Sequence, residues 1–190
     1  MNASVNHDPQ PGQNRDDSRI LARARDIALL VLDVDGVLTD GGIYTDAHGA
    51  VSKRFHVHDG LGIRAALATG LDVAVITGRQ SGAVDARMRE LGISEYHPGQ
   101  PDKVPVLTDI LRRKGLAPRQ TAYLGDDWVD AGPMRLVGLP MAVADAQPEI
   151  LDLALWVATK PGGQGAVREA IRVLLAASGR LDAAFARFLP

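Results

Sequence analysis

The 190-residue sequence contains no cysteine. That excludes disulfides, thiolate metal sites and a cysteine nucleophile, and it is compatible with a reducing compartment. Long apolar runs are missing too: Ile27–Leu32 and Leu153–Ala158 are the longest, at six residues each. A membrane-spanning helix needs roughly 20. The first 19 residues hold no apolar segment of the kind a signal peptide requires. Nor is there an excess of one charge. The 21 Lys+Arg and 23 Asp+Glu leave a net charge of −2, so neither nucleic acid nor a membrane surface is expected as a partner. Together these absences predict a cytoplasmic protein.

What is present has ordinary globular composition, with 46% apolar and 23% charged residues. Residues 1–19 are polar, carry two prolines and show no period, which predicts a disordered tail. Residues 20–190 are then one domain, long enough to bury roughly 70% of the unfolded surface. Strands are expected at Ala28–Asp33, Val73–Thr77, Thr121–Leu124, Met141–Val143 and Ala154–Ala158. Helices are expected at Asp59–Ala68, Ser81–Leu91, Asp102–Lys114 and from about Gln164 to Ala177. Gly70, Gly92 and Gly115 follow the first three as stop signals. Strand–helix alternation implies an α/β fold, a doubly wound parallel sheet with right-handed crossovers. One insertion departs from it. Residues 42–58 alternate around the turn formers Asp46–Gly49 and read as a β-hairpin projecting from the carboxyl end of strand one.

Open α/β sheets bind ligands beyond the carboxyl ends of their strands. The polar residues there are Asp33 and Asp35, then Thr77, then Asp126 and Asp127. A lone strand-end Asp is usually a cap or a turn former. Four converging carboxylates repel one another unless a cation or proton intervenes, and a hard divalent cation, Mg²⁺, is the expected solution. The Asp33-Val34-Asp35 spacing lets two carboxylates flank one reacting group, one as nucleophile on phosphorus and one as acid/base. Gly36 permits a tight turn beside the phosphate. Thr77-Gly78-Arg79 offers a hydroxyl, an N–H and a guanidinium to phosphate oxygens, and Lys103 at a helix start can neutralise shared charge.

DVDGVLTDG (33–41), ITGR (76–79), Lys103 and GDDWVD (125–130) resemble, in order, the four motifs of the haloacid-dehalogenase superfamily of phosphohydrolases. KRFHVHDGLGI (53–63), ITGRQS (76–81), GQPDK (99–103) and GGQGAVRE (162–169) resemble, within it, the family of 3-deoxy-D-manno-octulosonate 8-phosphate phosphatases. The resemblance implies hydrolysis of that sugar phosphate through an aspartyl-phosphate, in lipopolysaccharide precursor synthesis. It also implies a fold without a cap domain and a homotetramer with packed hairpins. Asp33 would be the nucleophile and Asp35 the acid/base, with Thr77 and Lys103 completing the catalytic set. Asp33, the Asp35 carbonyl and Asp126 would hold Mg²⁺. Substrate contacts would come from Asp35, His56, Val57, His58, Asp59, Gly60, Arg64, Arg79, Arg87 and Lys103. One departure is visible. After Asp130 the chain reads Ala-Gly-Pro-Met, which shifts a family proline by one position and bears on the local loop geometry.

Other readings stay open at this level. His56 and His58, alternate on a strand, would share a face and could bind zinc, although Gly60 stands where similar metallo-hydrolase motifs place another histidine. Against that, Asp59-Gly60 opens a helix whose N–H groups can hold an anion. Arg64 and Arg87 could be ordinary solvated helix residues, and Trp128 a packing residue. Asp127 reads as a hydrogen-bond partner of the site and Asp130 as a residue orienting Lys103 or starting a helix. Gly162, Gly163 and Gly165 could line the site or merely connect. The substrate could be a nonulosonate 9-phosphate, and a non-enzymatic phosphoacceptor domain or an inactive binding relative is the reading from a different class.

Overall fold

The apolar runs become a parallel sheet because each is flanked by a helix long enough to carry the chain back. The computed structural model describes residues 18–189. Its elements are α1 (Ser18–Arg25), β1 (Leu29–Leu32), β2 (Tyr44–Thr45), β3 (Val51–Ser52), α2 (Val57–Ala68), β4 (Asp72–Ile76), α3 (Gly82–Leu91), β5 (Glu95–His97) and α4 (Lys103–Lys114). They continue with β6 (Thr121–Gly125), α5 (Ala131–Leu136), β7 (Leu139–Ala142), α6 (Pro148–Leu153), β8 (Trp156–Val157), α7 (Ala166–Ala177) and α8 (Leu181–Ala186). Six parallel strands run in the order β5-β4-β1-β6-β7-β8. β1 is the buried centre, pairing with β4 on one side and β6 on the other.

Right-handed crossovers leaving β1 towards β4 and later returning from β5 to β6 put their helices on opposite faces. Accordingly α1, α2, α7 and α8 pack together, and α4, α5 and α6 form the other layer. The reversal of direction beside β1 opens a crevice at the carboxyl ends of β1 and β6. Leu29, Leu30, Val31 and Leu32 are fully buried between the layers, so the two residues that follow Leu32 are aimed by a rigid base.

Several boundaries differ from the sequence reading. Most of the expected tail lies outside the described residues, but Ser18 and Arg19 form the start of α1, whose Ile20 and Ala24 are buried. β5 was not foreseen, because an edge strand of three part-exposed residues has no apolar run. The short helices α5, α6 and α8 were also missed, being too brief to show a period. Pro133 sits within the first turn of α5, where a missing N–H costs nothing. The displaced proline therefore starts a helix.

The hairpin is a correction in part. It exists as the antiparallel pair Tyr44–Thr45 and Val51–Ser52, closed by Asp46, whose Oδ1 accepts from the N–H groups of His48 (2.8 Å) and Ala50 (2.9 Å). Its return arm stops at an isolated bridge between Thr39 and Phe55. With nothing further to pair with, the chain turns into α2 at Val57. His56 is the residue before that helix and His58 lies within it. The two rings meet edge to face at 4.9 Å, so the strand face on which the zinc reading rested does not form.

The glycine-rich loop before α7 is seated against the turn after β1. The N–H of Gly163 donates to the carbonyl of Val37 at 2.9 Å, and that of Gly162 to Asp145 Oδ1 at 2.9 Å. A Cβ on Gly162 would stand 1.6 Å from the carbonyl oxygen of Gly36. Gly162→Ala should therefore force the 33–41 turn and this loop apart, lowering stability by about 1–3 kcal/mol and reducing turnover. Chemical denaturation with a parallel activity assay measures both; an unaltered midpoint would show that the two segments are not packed together.

Candidate active site

Asp33 leaves β1, Asp126 leaves β6, and Asp130 is brought back under them by a short 3₁₀ turn at Trp128–Asp130. One carboxylate oxygen from each of the three lies within 4.8 Å of the others. Glycine makes this approach possible. A Cβ on Gly36, whose φ is +84°, would meet Asp126 Oδ2 at 2.1 Å, and one on Gly125 would meet Asp130 at 2.6 Å.

A single ammonium enters the cluster. Lys103, at the first turn of α4 and 2% exposed, places Nζ 2.9 Å from Asp33 Oδ1 and 2.7 Å from Asp130 Oδ1. Its helix is started by Asp102, which accepts from the N–H of Val104 at 3.2 Å. Asp130 is fully engaged: Oδ1 also accepts from the Tyr123 hydroxyl at 2.7 Å, and Oδ2 from the Asp126 N–H at 3.0 Å. It therefore holds Lys103 and the 126–130 turn in place. Tyr123 was missed from the sequence, although a tyrosine in a buried strand signals a polar partner for its hydroxyl.

Three carboxylates against one ammonium leave excess negative charge in a dry crevice. Burial, then repulsion from Asp130, lifts the Asp33 carboxyl to about 7 despite the opposing pull of Lys103. Asp126 rises to about 8 through burial and the neighbouring Asp33, Asp130 and Asp127. Burial works against the Lys103 ammonium, but the pull of Asp33 and Asp130 prevails and its pKa is raised. Asp126 Oδ1 is buried with no hydrogen-bond partner in the structure. Such an orphan is costly unless an electrophile meets it. All-oxygen ligands with uncompensated charge fit a hard divalent cation such as Mg²⁺, held by Asp33 and Asp126, the two acids of the cluster not saturated by protein donors.

The remaining expected residues distribute unevenly. Asp35 adds no carboxylate to the cluster; its Oδ1 is paired with Lys53 of the hairpin's return arm, a residue the sequence reading did not single out. Thr77 is buried at the end of β4, its Oγ1 accepting from the Arg79 N–H at 3.4 Å. Arg79 and Arg64 are exposed, and His58 and Val57 are on the surface with Val57 78% exposed. His56 is half-buried, with a buried Nδ1 that has no partner. Arg87 lies against Gly60, where a Cβ would come within 2.2 Å of Nη2, and over the Phe55 ring at 5.7 Å.

Asp59 is engaged at the junction of α2 and α7. It is 1% exposed, and its two oxygens accept from the N–H groups of Gly165 (3.2 Å) and Arg168 (2.8 Å), capping α7. Burial raises its carboxyl pKa, opposed by those hydrogen bonds. Trp128 is not a packing residue but 67% exposed, its indole N–H donating to Glu149 Oε2 at 2.9 Å. Asp127 caps locally, accepting from the Trp128 N–H at 2.7 Å.

This architecture and this acid cluster are those of the haloacid-dehalogenase class of α/β hydrolases. No family model matches the sequence. The chain is 47% identical over 165 residues to the 3-deoxy-D-manno-octulosonate 8-phosphate phosphatase KdsC of Escherichia coli (strain K12), covering 87% of this chain and 88% of that protein. It superposes on the crystal structure of the phosphatase of that name from Yersinia pestis with a TM-score of 0.85 at 42% identity, covering 87% and 89% of the two chains. The Moraxella catarrhalis phosphatase, in complex with magnesium ion, phosphate ion and KDO, gives a TM-score of 0.87 at 39% identity over 90% and 98%. The chain belongs to the 3-deoxy-D-manno-octulosonate 8-phosphate phosphatase family.

The raised carboxyls carry a pH prediction. With Asp33 and Asp126 held at about 7 and about 8, above their ordinary 3.8, the folded, metal-free protein retains protons that the unfolded chain releases. Their contribution to stability is therefore present at low pH and is lost as pH rises through this window. A divalent cation requires the same carboxylates deprotonated. The rise in Tm on adding Mg²⁺ should be small near pH 5 and clearly larger at pH 8. A pH-independent shift would place the cation away from Asp33 and Asp126.

Proposed function

We propose that the protein is a Mg²⁺-dependent phosphatase that hydrolyses 3-deoxy-D-manno-octulosonate 8-phosphate to the free sugar acid and phosphate, in lipopolysaccharide precursor biosynthesis. The observation that carries this reading is the buried Lys103 bridging Asp33 and Asp130 beside the partnerless oxygen of Asp126, in a chain of this family. Asp33, the Asp35 carbonyl and Asp126 would hold the Mg²⁺, which when bound would supply positive charge to the phosphate oxygens.

The chain's own groups account for the steps. An Asp33 oxygen attacks phosphorus and the bond to the ester oxygen breaks, with Asp35 giving its proton to the departing alkoxide. Asp35 then takes a proton from water as that water attacks the aspartyl-phosphate, which frees Asp33 and phosphate. Lys103 offsets charge shared between nucleophile and phosphate, and the Thr77 hydroxyl and Arg79 bind phosphate oxygens. Because acid/base and nucleophile are two residues apart, a phosphorylated Asp33 is hydrolysed instead of persisting as a signal, which disfavours the phosphoacceptor reading. His56, Val57, His58, Gly60, Arg64 and Arg87 remain the residues proposed for the sugar acid. Asp59 serves them indirectly by fixing α7 to α2.

Asp33→Asn should abolish turnover of the sugar phosphate, because an amide is a poor nucleophile and a weaker metal ligand. Near-normal turnover with deamidation excluded would sink the mechanism. The same assay, run with a nonulosonate 9-phosphate and common hexose phosphates, should show a clear preference for the octulosonate ester; equal rates on all would contradict the assigned substrate.

The hairpin supports a further element of the proposal. Ile43, Tyr44 and Val51 are 58%, 48% and 45% exposed, and a hairpin this short is marginal alone in water. Packed hairpins of a homotetramer would bury these residues and close the open site, and the cysteine-free chain fits a cytoplasmic enzyme. Light scattering at micromolar concentration should report four chains; a fully active monomer would refute a role for neighbouring subunits.

A further inference from the structure

Asp35 must present one carboxylate oxygen to a leaving group while standing on a turn that contains Gly36 and is 30% exposed at its side chain. An unrestrained aspartate there would sample several rotamers. The restraint comes from outside the turn. Lys53 follows β3, its side chain is 4% exposed, and Nζ contacts Asp35 Oδ1. Its backbone is itself fixed: Phe55 bridges Thr39, and Arg54 Nε pairs with Asp40 Oδ2 at 3.0 Å. Three successive residues of the return arm are thus stitched to residues 35, 39 and 40 of the catalytic turn. The two buried lysines divide the acids between them, Lys103 serving Asp33 and Asp130 and Lys53 serving Asp35.

We propose that Lys53 is the positioning residue of the acid/base, holding Asp35 through Oδ1 so that Oδ2 faces the ester oxygen. The inference rests on the assignment of Asp35 as acid/base. It gives the hairpin a catalytic use within its own chain, distinct from packing against neighbours. In the first half-reaction the proton moves from Oδ2 to the departing ester oxygen as the Asp33–phosphorus bond forms. In the second, water gives its proton back to Oδ2 as its oxygen bonds to phosphorus and Asp33 is released. Lys53 neither gains nor loses a proton in either step.

The test uses two esters with the Mg²⁺-loaded enzyme. A sugar phosphate leaves as an alkoxide that needs a proton, whereas p-nitrophenyl phosphate leaves as a stabilised phenolate that does not. Lys53→Met should lower kcat/KM, which reports the steps up to departure of the alcohol and not the shared hydrolysis of the aspartyl-phosphate, about tenfold or more on the octulosonate ester and less than about threefold on the aryl ester, since general acid catalysis is worth roughly 10²–10⁴. Lys53→Arg should recover most of the loss. An equal loss of kcat/KM on both esters, or no loss on either, would reduce Lys53 to a tether and overturn the proposal. Asp35→Asn separates the two layers of the argument. If it shows the ester-dependent split and Lys53→Met does not, only the Lys53 proposal fails; if it shows none, the acid/base assignment fails and takes the proposal with it. Should Lys53→Met not fold, as judged by circular dichroism, Lys53→Gln replaces it with the same outcomes.

Discussion

The crowding of Asp33, Asp126 and Asp130 around one buried ammonium is the constraint on which the rest of this structure depends. At separations within 4.8 Å, carboxylates in a dry crevice raise one another's pKa, and a buried charge left unpaired costs several kcal/mol. Lys103 relieves part of this by touching two of the three. Asp130 is relieved further by Tyr123 and by the Asp126 N–H. What is left uncompensated is concentrated on Asp33 and Asp126, whose carboxyls are both raised. The cost of assembling like charges therefore falls on the two acids proposed to meet cation and phosphate.

Holding that cluster requires a rigid base, and the sheet supplies one. β1, β4 and β6 end side by side, so Asp33, Thr77 and Asp126 are delivered by strands whose own residues are buried in the core. The far end of the chain closes the arrangement. Gly162 and Gly163 lie on the turn after β1 close enough that no side chain would fit, and Asp59 caps α7 from the start of α2. Sequence-distant segments are thereby joined by hydrogen bonds, Gly163 to Val37 and Asp59 to Gly165 and Arg168.

The same economy explains why residues with similar charges do different things. Asp35, Asp40 and Asp59 are each committed to a different place: Asp35 to Lys53, Asp40 to Arg54 and Tyr44, and Asp59 to the N-terminus of α7. Arg64 and Arg79, by contrast, are exposed, which suits groups that meet a diffusing anion.

The sequence by itself determined the sheet and the acids that end its strands. Runs such as Leu29–Leu32 are too apolar to be anything but buried, and the polar residues that follow them, Asp33, Thr77 and Asp126, must emerge at one edge. Terminal glycines likewise announced where α3 and α4 stop. These signals are local, which is why they could be read. Tertiary structure alone decided the rest. Whether the segment through His56 stayed a strand or turned into a helix depended on the partner strand running out at Thr39. The partners of Lys53 at Asp35 and of Asp59 at Arg168 lie 18 and 109 residues away, and between the two readings of Asp130 only the fold chose Lys103. A charged side chain's role is set by which opposite charge or free N–H the fold brings within hydrogen-bond reach, and no spacing along the chain encodes that distance.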